Sequence, residues 1–252
     1  MVVTPIKTKL IQPGDDLLEV ITAAVPSLRE QSVLTIATKA FSFSEQRLVE
    51  KQSDSKEEKW ELAKKEAEYY LEPNESKYQI MFTIKGNWMF ANAGIDESNS
   101  AGFYSLWPEN PQASLNLLWQ RLRKHYEVKN LGIIMTDSHA MPLNWGVVGH
   151  GIAYCGFRAL KNYVGTPDLH GRNLEMEQLS LVQSLAVAGV MEMGEGSEQQ
   201  PLAVITDIKQ DMVFQDEPPT DKELASLRIS LEDDAFAPFI TRVQWKKGEK
   251  RS

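Results

Sequence analysis

The chain has 252 residues, 42% hydrophobic and 25% charged, enough for one large domain or two small ones around a proper core. Its 35 acidic against 27 basic side chains leave a formal net charge of −8, which repels phosphate backbones and anionic lipid and argues against nucleic acid or membrane partners. No run approaches the ~20 apolar residues of a membrane span, and the start, MVVTPIKTKLIQPGDD, lacks the pattern of a signal peptide. The single cysteine, Cys155, lies in an apolar stretch and reads as a buried structural thiol, which suits a reducing, cytoplasmic compartment.

In chain order, residues 9–14 (KLIQPG) read as a short strand ending in a turn. Asp15 and Asp16 precede an amphipathic run, Leu17 to Val25, where an Asp caps the helix. VLTIA at 33–37 reads as a buried strand. Residues 50–72 form the clearest exposed helix, with Ser55 and Glu58 spaced as a capping box. Strand signals return at 78–84. Asn110 as cap and Pro111 in the first turn start a helix that buries Leu115, Leu118, Trp119 and Leu122. LGIIMT at 131–136 reads as a strand stopping at Asp137-Ser138. Residues 178–193 are apolar at helical spacing, with small Ala186, Ala188 and Gly189 for close packing. GEGSEQQ at 194–200 is a glycine-containing loop, and LAVIT at 202–206 a further strand. Pro218-Pro219 marks a surface turn. Strands and helices in irregular order give an α+β class, mixed sheets with packed helices. The expected organisation is one domain over 1–245, divisible into two subdomains, and a frayed basic tail over 246–252.

Three polar clusters stand at strand or helix ends: Asp96 to Asn99, Thr136-Asp137-Ser138, and Gly194-Glu195-Gly196-Ser197-Glu198. Carboxylates beside hydroxyls are hard oxygen ligands suited to Mg²⁺ or Mn²⁺. Glycines beside an acid let backbone N–H groups approach phosphate oxygens. The same residue types also serve as caps and turns. No Walker A sequence and no Gly-x-Ser-x-Gly elbow is present. His125, His139, His150 and His170 lack zinc-site spacing, although His139 and His150 flank one segment.

Taken together, these segments resemble the coenzyme F-420-0:L-glutamate ligase family, whose members add glutamate through amide bonds to a deazaflavin coenzyme precursor. The resemblance runs through TKLIQPGDDL, VLTIATKAFSFSEQRLV, ANAGIDESNS, IIMTDSHAMPLNWGVVGHGIAYCG and MGEGSEQQPLAVI, in that order. It implies that Asp96, Asp137, Ser138 and Glu195 hold divalent metals and that Asn99 contacts the nucleotide. It further implies a nucleotide pocket lined by Thr8, Lys9, Leu10, Ile11, Thr38, Lys39, Met193, Gly194, Gly196, Ser197, Glu198, Gln199 and Gln200. Mg²⁺ or Mn²⁺, with GTP or ATP as co-substrate, an intertwined homodimer, and L-glutamate as one substrate follow from the same resemblance.

Departures from the family pattern fall in these segments: Phe43 where a lysine is common, Gln46 where a glycine is usual, His139 and Met141 after TDS, and Asn144 and His150 further on. A branch of the family carrying GIDESN, LWP and a TDS-H segment is associated with folate metabolism, which points to a folate-type acceptor, the deazaflavin precursor being the alternative. The implied chemistry runs through an acyl phosphate, with Asp96, Asp137 and Glu195 as the catalytic acids and Lys39, Arg47, Arg158, Lys161 and Arg172 as candidates for a basic pocket. A metal-dependent phosphohydrolase on the same acids, or a nucleotide-binding module without catalysis, are the competing classes.

Overall fold

The computed structural model describes residues 1–250. The chain forms two compact units. One comprises Met1–Arg47 with Pro108–Pro219, the other Leu48–Trp107 with the residues from Thr220 onward. Both are mixed α and β. Pro218-Pro219, read from sequence as a surface turn, closes the first unit, and Pro219 is buried.

The first unit is built on a five-stranded sheet in the order Val2–Ile6, Leu202–Thr206, Ser32–Ala37, Leu131–Ala140, Val147–Cys155. Only the pair Ser32–Ala37 and Leu131–Ala140 is parallel. One face is covered by the helices Leu17–Ala24 and Pro111–Tyr126, and the core between them holds Leu34, Ile36, Ile133, Met135, Leu115, Leu118, Trp119, Leu122 and Cys155. Asp16 caps the first helix by accepting from the Leu18 N–H at 2.9 Å, and Arg121 donates to both its oxygens. Such a cap is worth about 1 kcal/mol. Asn110 accepts from Ala113 N–H at 3.0 Å and starts the second helix as its sequence predicts.

The other face carries the helix Leu181–Met193. It sits close because Gly149, Gly151 and Gly189 leave no room for a Cβ: one at Gly149 would overlap the Ala186 carbonyl, one at Gly189 the Thr35 side chain. Ala186 is fully buried, whereas Ala188 is only half-buried.

Two sequence expectations are corrected here. Residues 9–14 are not a strand. The strand lies earlier, at Val2–Ile6 on the sheet edge, where Pro5 is tolerated because an edge strand need not donate on its outer side. Residues 9–15 instead form a loop closed by Lys9–Asp15 at 2.9 Å and by Gln12 N–H to Asp15 at 2.7 Å. The strand from Leu131 does not stop at Asp137. A bulge between Met135 and Thr136 absorbs one residue, and pairing with Val147–Cys155 continues to Ala140.

The second unit has a four-stranded sheet, Lys246–Lys247, Tyr69–Tyr70, Phe82–Lys85, Trp88–Ala91, and a small pair, Leu48–Glu50 with Phe103–Ser105. The helix expected over 50–72 is shorter, Lys56–Glu66, because Glu68 and Leu71 give their N–H groups to Ile84 and Phe82. The Ser55–Glu58 box does not form. Glu58 turns back to accept from Gln52 and Ser53 N–H, and the Ser55 hydroxyl donates to Glu57 at 2.6 Å. The basic segment expected to fray is tied down as far as it is described: Lys246–Lys247 pairs with Tyr69–Tyr70, and Gly248, Glu249 and Lys250 donate to Glu68, Lys64 and Ala67. Residues 251–252 of that segment lie outside the described residues.

Candidate active site

Sheet register brings most of the sequence-predicted segments of the first unit to one edge. Ile6 pairs with Leu202, Leu202 with Ile36, and Ala37 with Thr136, so the chain leaves the sheet at 7 and 38 and enters it at 202 on the same side, level with Thr136 on the strand that runs on to Ala140. The loops then bond to one another. Gln199 Nε2 donates to the Thr8 carbonyl at 2.7 Å, Thr8 N–H donates to the Gln199 carbonyl at 3.3 Å, and Ala37 N–H to Pro201 at 2.9 Å. Segments 8–11, 37–39 and 193–201 are thereby neighbours, although 191 positions separate Thr8 from Gln199.

Within that edge the side chains divide. Thr8 and Thr38 are buried, and the Thr8 hydroxyl donates to the Lys9 carbonyl. Lys9 is held by Asp15, Leu10 is exposed, and Ile11 packs against the core. Lys39 lies on the short helix Thr38–Ser44. Phe43, standing where a lysine is common, is buried on the same helix, so its apolar ring completes packing there. Gln46 has φ 55°, a left-handed backbone that favours the glycine usual at this place.

The helix Leu181–Met193 ends at Gly194, φ 80°, and turns the next residues back toward the strand. Ser138 Oγ lies 2.7 and 2.8 Å from the two Glu195 oxygens and donates its proton to that carboxylate. Glu198 instead accepts from Gly196 N–H at 2.8 Å, curling the GEGSE loop on itself.

Asp137 accepts from Ser138 N–H at 2.8 Å and pairs across the strands with His150. Alternation along the strand sets Ser138 on the face of the Leu181–Met193 helix and Asp137 on the other, together with His139 and His150, whose ring centroids are 5.4 Å apart. Burial holds His139 below the usual imidazole range. Burial, and then the neighbouring His139, bring His150 down to about 4. Both rings are therefore neutral at pH 7. Cys155 is buried and pushed up to about 12 by desolvation, an inert thiol as its apolar context predicts.

In the second unit, Asp96 follows an unusual turn. Asn92, Ala93 and Gly94 all have positive φ, 50°, 54° and 72°. Gly94 is obligatory, since a Cβ would overlap the Trp107 ring. Asp96 is then pinned to Ser105 by two backbone bonds of 3.1 and 2.7 Å. Its carboxylate accepts from Glu97 N–H (2.6 Å), Ser98 N–H (2.9 Å) and Ser98 Oγ (2.8 Å), so IDESN is a self-bonded polar turn. Asn99 is left-handed, φ 51°.

Two lysines that sequence reasoning missed flank this turn: Lys51 at 2.8 Å and Lys59 at 3.5 Å from Glu97. The hydrogen bond from Lys51 holds the Glu97 carboxyl below its ordinary range. No local pattern marked these lysines, because their partner lies 46 and 38 residues away. Of the basic residues singled out, Lys161 faces Gln210 and Asp211, and Arg172 faces Glu175 at the surface. Within neither unit, among the described residues, do three or more His, Cys, Asp or Glu side chains gather as a metal cluster. Within the first unit the hydroxyl–carboxylate pair Ser138–Glu195 has the hard-oxygen donor chemistry that suits a divalent cation. No helix among the described residues is long and apolar enough to cross a membrane.

Comparison with known proteins gives this arrangement its class: the chain is an amide-forming ligase. It belongs to the F420-0:gamma-glutamyl ligase family, whose pattern its residues 5–207 match. It is 32% identical to the coenzyme F420:L-glutamate ligase of Methanopyrus kandleri over 82% of this chain and 86% of the relative. It is 31% identical to the enzyme of the same name from Archaeoglobus fulgidus, over 78% and 83%, and 29% identical to that from Methanosarcina mazei, over 79% and 82%.

Proposed function

We propose that this protein is a nucleotide- and divalent-metal-dependent γ-glutamate ligase whose acceptor is a deazaflavin of the coenzyme F420 type. The family and the names of its relatives support that acceptor over the folate-type one suggested by the GIDESN, LWP and TDS-H segments. The observation that carries the reading is the convergence of 8–11, 37–39 and 193–201 on one sheet edge, beside Asp137 and the Ser138–Glu195 pair.

In this reading the acceptor carboxylate oxygen attacks the γ-phosphorus of GTP or ATP. The bond to the bridging oxygen breaks, and the nucleoside diphosphate leaves with it. The glutamate amine attacks the acyl phosphate carbon, loses a proton, and phosphate departs as the amide forms. Asp137 and the Ser138–Glu195 pair of the first unit would hold Mg²⁺ or Mn²⁺, with Asp96 the candidate ligand of the second unit, and the ion would neutralise phosphate charge. The glycine-bearing loop 193–200, with Thr8, Lys9, Leu10, Ile11, Thr38 and Lys39, binds and orients the nucleotide, and Asn99 is the candidate nucleotide contact of the second unit. The working form is a homodimer.

The test offers the full chain Mn²⁺ or Mg²⁺, glutamate, and GTP or ATP, with the deazaflavin precursor and tetrahydrofolate in separate reactions read by mass spectrometry. A glutamyl adduct on the deazaflavin is the expected result. An adduct on folate alone overturns the acceptor, and phosphate release without any adduct overturns the ligase. Asp96→Asn and Glu195→Gln should each lower turnover about a hundredfold while the chain remains folded by circular dichroism.

A further inference from the structure

The turn that carries Asp96 is assembled on a buried lysine. Lys85 ends the strand Phe82–Lys85, and its side chain is 3% exposed. Its Nζ lies 2.9 Å from Glu66 Oε2, 3.4 Å from the Ala93 carbonyl oxygen and 5.0 Å from the centroid of the Trp107 ring. An ammonium taken out of water is expensive unless it is paired and hydrogen-bonded, so this position would be easier to fill with an apolar chain if packing were its only task.

The neighbours show what the charge does. Ala93 is left-handed, a conformation that an alanine holds only where its surroundings over-determine it. Both of its peptide groups are gripped. Its N–H donates to Thr83 Oγ1 at 2.8 Å, and its carbonyl accepts from Lys85. The next residue, Gly94, lies against the same Trp107 ring that Lys85 faces. Two residues on is Asp96, locked to Ser105. Glu66 compensates the lysine and is itself approached by Lys250 at 3.8 Å, on a segment beyond the family match.

We propose that Lys85 is a positioning residue for Asp96: it clamps the left-handed Asn92–Gly94 turn through the Ala93 carbonyl and the Trp107 ring, and so sets the direction in which the Asp96 carboxylate is presented. The inference rests on the reading of Asp96 as a metal ligand. In that role Lys85 acts through the turn and not on the reacting groups.

Full-length wild type, Lys85→Met, Lys85→Arg, Glu66→Gln and Asp96→Asn are titrated with Mn²⁺ alone, the free ion being read by its paramagnetic resonance. Amide hydrogen exchange is followed on the same proteins. Lys85→Met should bind Mn²⁺ about tenfold more weakly, the size of effect typical of a group that orients a metal ligand. Exchange over residues 92–98 should rise about tenfold while the helix Lys56–Glu66 keeps its protection. Lys85→Arg, which keeps the charge, should recover part of both. Unchanged exchange at 92–98 overturns the proposal. So does loosening spread evenly through the second unit, which would make Lys85 a general core element. Should Lys85→Met fail to fold, Glu66→Gln removes the compensating charge without changing shape, and its exchange at 92–98 decides by the same criterion. If Asp96→Asn leaves Mn²⁺ binding unchanged, the metal reading of Asp96 fails, and the exchange result alone decides the role of Lys85.

Discussion

The two units present their acids by different physical means. In the first, Asp137 and Ser138 project from a strand whose preceding residues, Ile133 to Met135, are completely buried, and Glu195 follows the end of a thirteen-residue helix packed on the sheet. Regular hydrogen bonding positions them, and the core supports that. In the second unit, Asp96 follows three consecutive left-handed residues held by a buried lysine, a threonine hydroxyl and a tryptophan face. The first arrangement spreads its support over many packing contacts between sheet and helix. The second concentrates its support in a few polar contacts, where one loss is felt in full.

The sharpest way to break this contrast is Gly94→Ala. It forces an alanine into φ 72° and drives a methyl into the Trp107 ring. The second unit should lose about 3 kcal/mol, from the left-handed penalty and overpacking together. Gly86→Ala, at φ 60° with open space around it, is the control and should lose only about 1 kcal/mol. Equal losses in urea titrations of the two variants would mean that the Trp107 contact does not support the turn.

Next in size is Gly149→Ala, the counterpart in the first unit. The new methyl meets the Ala186 carbonyl and Val190, so the Leu181–Met193 helix must shift on the sheet. A loss of about 2 kcal/mol is expected, accompanied by weaker Mn²⁺ binding as the Ser138–Glu195 pair separates. Full binding at reduced stability would show that the loop carrying Glu195 is positioned independently of its helix.

The smallest effect belongs to Cys155. Its thiol is near 12 in the fold and near 8.5 when unfolded, so above pH 8.5 the unfolded state releases its proton first. The stability that the neutral thiol contributes is present below that pH and is lost as pH rises toward 12. Between pH 7.5 and 9.5 the urea midpoint should fall by the equivalent of about 1 kcal/mol relative to Cys155→Ala. Alkylation at pH 8 should be slow in the folded chain. A flat difference between the two proteins would show that the core admits the thiolate.

Local chemistry was readable where one segment carried its own signal. Asp16, Asn110 and Pro111 cap as their residue types require, and the apolar runs at 33–37 and 202–206 are strands. Ser55 and Glu58 had the right spacing for a box, yet Glu58 found two backbone donors at 52 and 53 instead. The strand at 131 outran its expected end because a bulge and a partner strand continued it.

The sequence by itself determined the α+β class, the inert cysteine, the major helix starts and the ordered motifs of a γ-glutamyl ligase, because each of these is written in residue type and short-range period. Only the tertiary structure decided that Thr8 meets Gln199, that Ser138 meets Glu195, and that Lys85 lies beneath the Asp96 turn. Those outcomes depend on sheet order, on strand alternation beyond a bulge, and on how a buried charge finds partners from distant segments. No local period encodes them.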